Sequence, residues 1–210
     1  MTDLLQVEVY LLRLIIPAVY WVKSLLACIM KNNIRAGRDL FMEKGQVRYR
    51  KGTPADLDDI CSMIRDAVAE MEQSGIHQWD EHYPTREDFE ADIADGNLTT
   101  GYADGQLAVI YVLSRECDPE YAKADWSNAT GRYYVIHRLC VSPKFQHRGI
   151  AGQTLLQIET EAGSLGADSL RLDVFSQNPF ALQLYMHAGY HRTGSADWRM
   201  GLFYLMEQVL

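Results

Sequence analysis

The chain has 210 residues, of which 48% are hydrophobic and 23% are charged, a composition typical of an ordinary globular protein with one main core. Its formal net charge of −8 argues against a nucleic-acid partner, because the chain has no sustained run of lysine and arginine that could bind a phosphate backbone. The four cysteines show no Cys-x-x-Cys spacing, so the sequence predicts neither a metal site nor a disulfide framework. We therefore expect reduced thiols and a cytoplasmic protein.

The N-terminal stretch differs from the rest and predicts a helical extension over residues 1–45. Arg13, Pro17 and Lys23 interrupt its apolar run, YLLRLIIPAVYWVKSLLACIM. A spanning helix needs about 20 apolar residues, and a central lysine costs about 2.5 to 3.5 kcal/mol on insertion, so membrane contact through residues 1–30 is disfavoured. We favour two helices, broken at the proline, that pack on the main domain or on a second subunit. A homodimer is therefore one alternative.

Two other interpretations of this segment stay open. The sequence LLAC at residues 25–28 resembles a lipoprotein processing site, although Lys23 and the acidic residues Asp3 and Glu8 argue against that interpretation. Met42 would also be a natural first residue, in which case the preceding stretch is a translated upstream region.

The main domain is predicted over residues 46–210, where the pattern becomes regular. QVRYR alternates in character and predicts a first strand. A helix follows, with Thr53 as its N-cap, Pro54 at its first position and Asp56 completing a turn like a capping box. These signals predict a strand that leads directly into a helix.

The middle of the chain predicts a second helix and a hairpin. TRED, with Thr85 and Asp88, is a second capping signal and opens a short helix. LTTGYADGQLAVIYVLS predicts two strands that are joined at Asp104-Gly105, a dipeptide favoured in tight hairpin turns. The polar stretch RECDPEYAKADWSNATGR then predicts an irregular loop.

The last third predicts alternating strands and helices. YYVIHRLCV and SLRLDVF read as strands, HRGIAGQTLLQIETEAGSLG and PFALQLYMHA as helices, and YHRTG and LFYLMEQVL as closing strands. The whole order is strand, two helices, three strands, helix, strand, helix and strands. It predicts an α/β or α+β fold with a sheet of about seven strands and about four helices.

The turn KFQHRGIAG, residues 144–152, is the most informative local feature. The start of a helix leaves about four backbone N–H groups unpaired and carries a partial positive charge, so it can bind an anion. Gly149, Ala151 and Gly152 keep bulky side chains away from those amides, and Arg148 adds positive charge. Small residues would equally allow close packing of helix on strand, so the turn alone does not decide. The sequence lacks the glycine patterns of dinucleotide and nucleotide-triphosphate sites.

The order RLCVSPKFQHRGIAGQTLL and then LRLDVFSQNPFALQLYMHAGY resembles the GNAT superfamily of acetyl-CoA-dependent N-acetyltransferases, over about residues 46–210. The resemblance implies a mixed, splayed sheet and acetyl-CoA as cosubstrate. In the family, the backbone of the strand before the turn holds the pantetheine arm, the turn holds the pyrophosphate, and an asparagine follows the next strand. The matching residues here are Leu139, Cys140, Val141, Gln146, His147, Arg148, Gly149, Ile150, Ala151, Gly152 and Asn178. Ala151 stands where many members have glycine, a change that the family tolerates.

The resemblance also implies catalytic residues. Tyr185, seven residues after Asn178, matches the general acid of the family, and a phenol with a pKa near 10 is protonated at neutral pH. Two bases stay open. Asp173 has the spacing of a carboxylate found in some members, and His137 lies in the strand that contacts the thioester. Both could instead be ordinary hydrogen-bonded strand residues.

The acceptor side of such enzymes is usually built from the first helices and their loop. GIHQWDEHYPTRED lies there and offers aromatic faces and carboxylates for an amine, although an aromatic residue there could equally anchor the loop. The candidate substrate-binding residues are Trp79, Asp80, Glu81 and Tyr83.

The predicted function is acetylation of a primary amine of a small molecule or peptide. The alternatives are transfer of a larger acyl group and an acyl-CoA-binding sensor without turnover.

Overall fold

The structure is a computed structural model, and it describes residues 46–129 and 131–210. The predicted extension, residues 1–45, lies outside the described residues. Within them, seven strands and four α-helices follow one another in the predicted order. The strands are β1 (Arg48–Lys51), β2 (Leu98–Ala103), β3 (Gln106–Ser114), β4 (Tyr133–Val141), β5 (Ser169–Phe175), β6 (His191–Trp198) and β7 (Gly201–Val209). The helices are α1 (Leu57–Gln73), α2 (Arg86–Ala94), α3 (Ile150–Ser164) and α4 (Pro179–His187).

The second helix-start signal and the hairpin have the geometry that the sequence predicts, whereas the first, Thr53 to Asp56, forms a 3₁₀ turn that leads into α1. The backbone N–H of Thr85 donates to Asp88 Oδ2 at 2.7 Å, and the N–H of Asp88 donates to Thr85 Oγ1 at 3.3 Å, so the capping box of α2 is complete. Asp104 and Gly105 have φ of 52° and 76°, the left-handed backbone that a tight two-residue hairpin requires. The loop between β3 and β4, predicted to be irregular, contains a short 3₁₀ helix, Pro119–Lys123.

The sheet has the strand order β1-β2-β3-β4-β5-β7-β6, and β4 with β5 is its parallel pair. These two strands pair only between residues 133–136 and residues 169–172. Beyond that point β4 bends, because the β3–β4 register shifts there and Arg138 adopts a left-handed φ of 52°. The carboxyl ends of β4 and β5 therefore separate and leave a wedge in the sheet.

The helices cover both faces of the sheet. Leu155 and Ile158 of α3 and Tyr185 of α4 pack in one cluster with Leu170, Leu172 and Val174, which are alternate residues of β5. We call this side the α3/α4 face. Because strand side chains alternate, the other residues of β5 point to the opposite side, which α1, α2 and the β3–β4 loop cover. We call that side the α1/α2 face. No helix of the described ranges has the length and apolarity that crossing a membrane requires.

The β3–β4 loop is attached to the sheet by a buried ion pair. Arg171 of β5 and Glu207 of β7 are 4% and 0% exposed, and Nε of the arginine lies 3.4 Å from Oε1 of the glutamate. Glu207 also accepts from the backbone N–H of Ser127 at 2.6 Å, and Arg171 donates to the carbonyl of Asn128 at 2.8 Å. Each charge therefore has a partner within the loop as well as across the strands.

Removal of one member of this pair should destabilise the fold, because it leaves an unpaired buried charge. We expect Glu207→Ala to lower the free energy of unfolding by about 3 to 5 kcal/mol. Chemical denaturation measures the loss. Asp66→Ala, which removes the same charge from an exposed position of α1, is the control and should change it by about 0.5 kcal/mol or less. A Glu207→Ala variant as stable as the control would show that the ion pair does not secure the loop.

Candidate active site

The wedge between β4 and β5 opens into a cavity of about 750 Å³, within the size range of small-molecule sites. Its wall comes from seven parts of the fold: the end of α1 and the loop after it, the β3–β4 loop, the end of β4, the turn before α3, the end of β5, α4, and the turn between β6 and β7. The cavity passes the point where β4 and β5 part, so it is accessible to groups from both faces of the sheet.

The turn before α3 presents backbone to this cavity. His147 and Gly149 have left-handed φ of 59° and 77°. Apart from its chain neighbours and the backbone of its own helix, a Cβ placed on Gly149 or Gly152 would meet no atom of the described residues within 4 Å. The first main-chain bond of α3 runs from the N–H of Gln153 to the carbonyl of Gly149, at 3.1 Å. The amides of residues 150–152 therefore precede the helical ladder and lie beside open space, an arrangement that suits an anion.

The structure brings most of the predicted cofactor residues to the cavity wall. Those on the wall are Leu139, Cys140, Val141, Gln146, His147, Gly149, Ile150, Ala151, Gly152 and Asn178. Arg148 is not on the wall. Its guanidinium lies over the ring of Phe145 at 5.0 Å and 3.7 Å from the carboxylate of Asp104.

Asn178 joins two parts of the site. Its Oδ1 accepts from the N–H of Ala181 at 3.0 Å and so caps α4. Its Nδ2 donates to Gln78 Oε1 at 2.8 Å, which ties α4 to the loop after α1. The side chain thus positions α4 and with it Tyr185.

Tyr185 reaches the cavity from the α3/α4 face. It is 8% exposed, and its ring packs edge-on against Tyr190 with 5.7 Å between centroids. Burial, assisted by the charge of Asp173, raises the pKa of Tyr185 well above that of a free phenol. The hydroxyl is therefore protonated at neutral pH. Among residues 46–129 and 131–210 it has no hydrogen-bond partner, which leaves its proton available to a ligand.

Asp173 reaches the cavity from the α1/α2 face, directly beyond the last β4–β5 pair. Burial raises the pKa of Asp173 to about 6, and a hydrogen bond from Tyr121, whose hydroxyl donates to Oδ1 at 2.8 Å, opposes that rise. The carboxyl group is consequently ionised at neutral pH but binds a proton more readily than an exposed aspartate.

Tyr121 is a residue that the sequence analysis did not single out. It lies in the 3₁₀ helix of the β3–β4 loop, is 2% exposed and stacks on Trp126 with 5.5 Å between ring centroids. The sequence does carry one signal for burial: Tyr121 and Trp126 are large aromatic residues in an otherwise polar stretch, and such residues are usually buried. Nothing local in the sequence indicates that the phenol reaches Asp173, which is 52 positions away.

His137 lies on β4 and also lines the cavity. Its Nε2 lies 3.1 Å from the carbonyl oxygen of Glu116, and a carbonyl only accepts, so this nitrogen carries hydrogen. Burial lowers the pKa of His137, so the imidazole is neutral at pH 7.

The predicted acceptor residues divide into two groups. Trp79 and Tyr83 lie on the wall, whereas Asp80 and Glu81 do not. Both carboxylate oxygens of Asp80 accept from the guanidinium of Arg199, one of them at 2.8 Å, and this ion pair holds the pKa of Asp80 well below its usual range. Arg199 itself lies on the wall, in the turn between β6 and β7. Asp80 therefore fixes an arginine at the mouth of the cavity.

Solved structures share this architecture. A GNAT-family acetyltransferase from Streptococcus agalactiae is 27% identical, with a TM-score of 0.69 over 78% of this chain and 95% of that chain. A GNAT-family acetyltransferase from Listeria monocytogenes is 22% identical, with a TM-score of 0.65 over 78% and 95%. The PaiA N-acetyltransferase of Thermoplasma acidophilum, solved with coenzyme A, is 18% identical, with a TM-score of 0.61 over 79% and 99%. The last two likenesses show the fold alone.

No curated protein sequence matches the chain. The model of the acetyltransferase (GNAT) family matches residues 64–190, a stretch that begins within α1 and extends past the end of α4. The resemblance inferred from the sequence is confirmed, as is the splayed, seven-stranded fold. Since the match spans more than half of the chain and includes the wedge, the protein belongs to the GNAT acetyltransferase family and is an acetyl-CoA-dependent acyltransferase.

Proposed function

We propose that the protein transfers the acetyl group of acetyl-CoA to the nitrogen of a primary amine on a small molecule or peptide. One observation carries this proposal. Asp173 and Tyr185 line one cavity from opposite faces of the sheet, next to the gap between β4 and β5. A carboxylate that can take a proton and a phenol that can donate one therefore adjoin the position of a thioester bound in the wedge. The cytoplasmic location and the homodimer alternative stay predictions.

Acetyl-CoA would be held mainly by backbone. Among the described strands, the side of β4 that faces β5 has no partner beyond residue 136, so its main-chain groups at residues 139–141 are available to the amides of the pantetheine arm. The amides of residues 150–152 would bind the pyrophosphate, with the positive end of α3 behind them. This arrangement explains why Gly149, Ala151 and Gly152 are small.

A charge in the turn should abolish cofactor binding without harming the fold. Gly152 and Gly163 both lie in α3 with open space around them, but Gly152 adjoins the cavity and Gly163 is near the other end of the helix. We expect Gly152→Glu to weaken acetyl-CoA binding at least about 100-fold, through steric blockage and repulsion of phosphate. Gly163→Glu is the matched control and should bind normally by isothermal titration calorimetry. Normal binding by Gly152→Glu would refute the placement of the pyrophosphate.

The proposed reaction moves two protons through two different residues. An aliphatic ammonium with a pKa near 10.4 is neutral in only about one molecule in 2,500 at pH 7, so the enzyme has to remove a proton. Asp173 accepts this first proton, and the free amine forms the new C–N bond with the thioester carbonyl. The nitrogen then carries one excess proton, which passes to water. As the C–S bond breaks, Tyr185 donates its proton to the thiolate. The products are the N-acetyl compound and CoA.

The phenol is tested by removal of its hydroxyl. We expect Tyr185→Phe to lower kcat by about 10²- to 10⁴-fold, the usual contribution of a general acid, and to leave acetyl-CoA affinity nearly unchanged. Thiol release measures turnover, and calorimetry measures binding. Tyr190→Phe removes the neighbouring hydroxyl, which does not line the cavity, and should retain wild-type turnover.

The results separate the alternatives. A fully active Tyr185→Phe variant would exclude this residue as the acid. Wild-type protein that binds acetyl-CoA but acetylates no amine would favour the sensor alternative. Faster transfer from a longer acyl-CoA would favour the larger acyl group.

We further propose that Tyr121 is a positioning residue for Asp173. Its hydrogen bond stabilises the ionised carboxyl group, so its removal should raise the pKa of Asp173 from about 6. Other groups facing Asp173 are Tyr185 of α4, Tyr83 of the loop before α2, Arg138 of β4, and Asp118 of the β3–β4 loop.

The pH profile tests this role. In the wild type, kcat/KM should rise with pH through about 6, as Asp173 loses its proton. In Tyr121→Phe we expect this rise to move upward by about one pH unit, while the rate at high pH recovers to near the wild-type value. Asp173→Asn should remove the rise and most of the activity. A Tyr121→Phe profile that is lowered equally at every pH would indicate a structural role only.

A further inference from the structure

The position of Asp173 locates the acceptor half of the cavity. Phe175 lies two residues further along β5, so the two side chains point to the same face. On β7, Phe203 is directly opposite Phe175, and Leu205 is directly opposite Asp173. An amine that reaches the carboxylate therefore lies against this part of the α1/α2 face.

The surface next to Asp173 is apolar and largely aromatic. The rings of Phe175 and Phe203 have centroids 5.1 Å apart, and Trp198 packs edge-on against Phe203, also at 5.1 Å. Three further residues from α1, the loop after it and the β6–β7 turn pack on this group. All six line the cavity, and we call them the acceptor wall: Met71, Ile76, Phe175, Trp198, Met200 and Phe203.

The cations on this side of the cavity are already paired. Among the described residues of the α1/α2 face, Arg138 and Arg199 line the cavity. Arg138 donates to Asp92 at 2.6 Å in a mostly buried ion pair, and Arg199 is bound by both oxygens of Asp80. His137 is neutral because burial lowers its pKa. Within residues 46–129 and 131–210, each of these two arginines therefore already has a carboxylate partner, although Nε of Arg138 has no hydrogen-bond partner.

The acidic groups on the same side are not neutralised. Glu70 at the end of α1, Asp118 of the β3–β4 loop and Asp173 line the cavity, and none of them forms an ion pair within the described part of the chain. A cavity with unpaired carboxylates attracts an ammonium group and repels an anion. Its apolar wall, in contrast, offers no partner to a charged group, so the part of the acceptor that lies on the wall has to be apolar.

We propose that the acceptor is a primary amine that has an apolar and preferably aromatic body and lacks a carboxylate. This inference rests on the proposed function and assigns its substrate class. The ammonium lies at Asp173, and the body lies on the acceptor wall. A free arylalkylamine and the N-terminus of a peptide with an apolar first residue share this chemistry.

Three acceptors with the same ring test the proposal. Phenethylamine has no α-substituent, phenylalaninamide mimics a peptide N-terminus, and phenylalanine adds the carboxylate. Putrescine replaces the apolar body by a second ammonium. With the full chain and acetyl-CoA, we expect kcat/KM for phenethylamine or phenylalaninamide to exceed that for phenylalanine and for putrescine at least about 100-fold. The better of the first two distinguishes a free amine from a peptide.

The outcomes separate this inference from the proposed function. Acetylation of putrescine or phenylalanine at an equal or higher kcat/KM would overturn the substrate class and leave amine acetylation intact. Binding of acetyl-CoA without acetylation of any of the four amines would overturn both.

A variant gives a second, independent measurement. Met200 is a partly exposed member of the acceptor wall, and Met200→Arg adds a cation to this face. We expect the ratio of kcat/KM for phenethylamine to that for phenylalanine to fall about tenfold or more. Leu156→Arg, at an exposed position of α3 outside the cavity, is the control and should leave the ratio unchanged. An unchanged ratio in a folded Met200→Arg variant would show that the acceptor does not contact the wall.

Discussion

The site depends on the point at which β4 and β5 stop pairing. Inside a sheet, each backbone N–H and C=O needs a partner, so two neighbouring strands normally stay together to their ends. Here the left-handed backbone of Arg138 and the register shift against β3 turn β4 away from β5 after Ile136. The unpaired edge, the cavity and the access of Asp173 to that cavity all follow from this separation. The side chain of Arg138 binds Asp92 of α2, so the residue that bends the strand is itself fixed.

The order of the elements and the glycine turn were predictable because their signals are local. Alternation, caps and the Asp104-Gly105 hairpin each involve residues that are close in sequence, and the distance from the turn to Asn178 and Tyr185 is a family pattern. The contacts that define the acceptor side could not be predicted. Asp80 and Arg199 are 119 positions apart, and Tyr121 and Asp173 are 52 apart. Such pairs depend on how the loops pack, for which the sequence carries no periodic signal.

The buried ion pair of Arg171 and Glu207 has a role that stability alone would not explain. Buried ion pairs are often no more stabilising than apolar residues of the same volume, because both charges lose their hydration. This pair also binds two main-chain groups of the β3–β4 loop, which carries Tyr121. A purely apolar contact would not set the direction of that loop as closely. The pair thereby holds the loop in the position from which the phenol reaches Asp173.

The placement of Asp173 and Tyr185 on opposite faces has a consequence for the catalytic cycle. In the proposed mechanism, each turnover leaves Asp173 protonated and Tyr185 as a phenolate. Before the next turnover, Asp173 therefore has to lose a proton on one face of the sheet and Tyr185 has to gain one on the other. The two residues do not hydrogen-bond each other, so they cannot restore themselves directly. Water has to carry a proton to Tyr185 and remove one from Asp173. The enzyme therefore regenerates only through solvent that reaches both sides of the wedge.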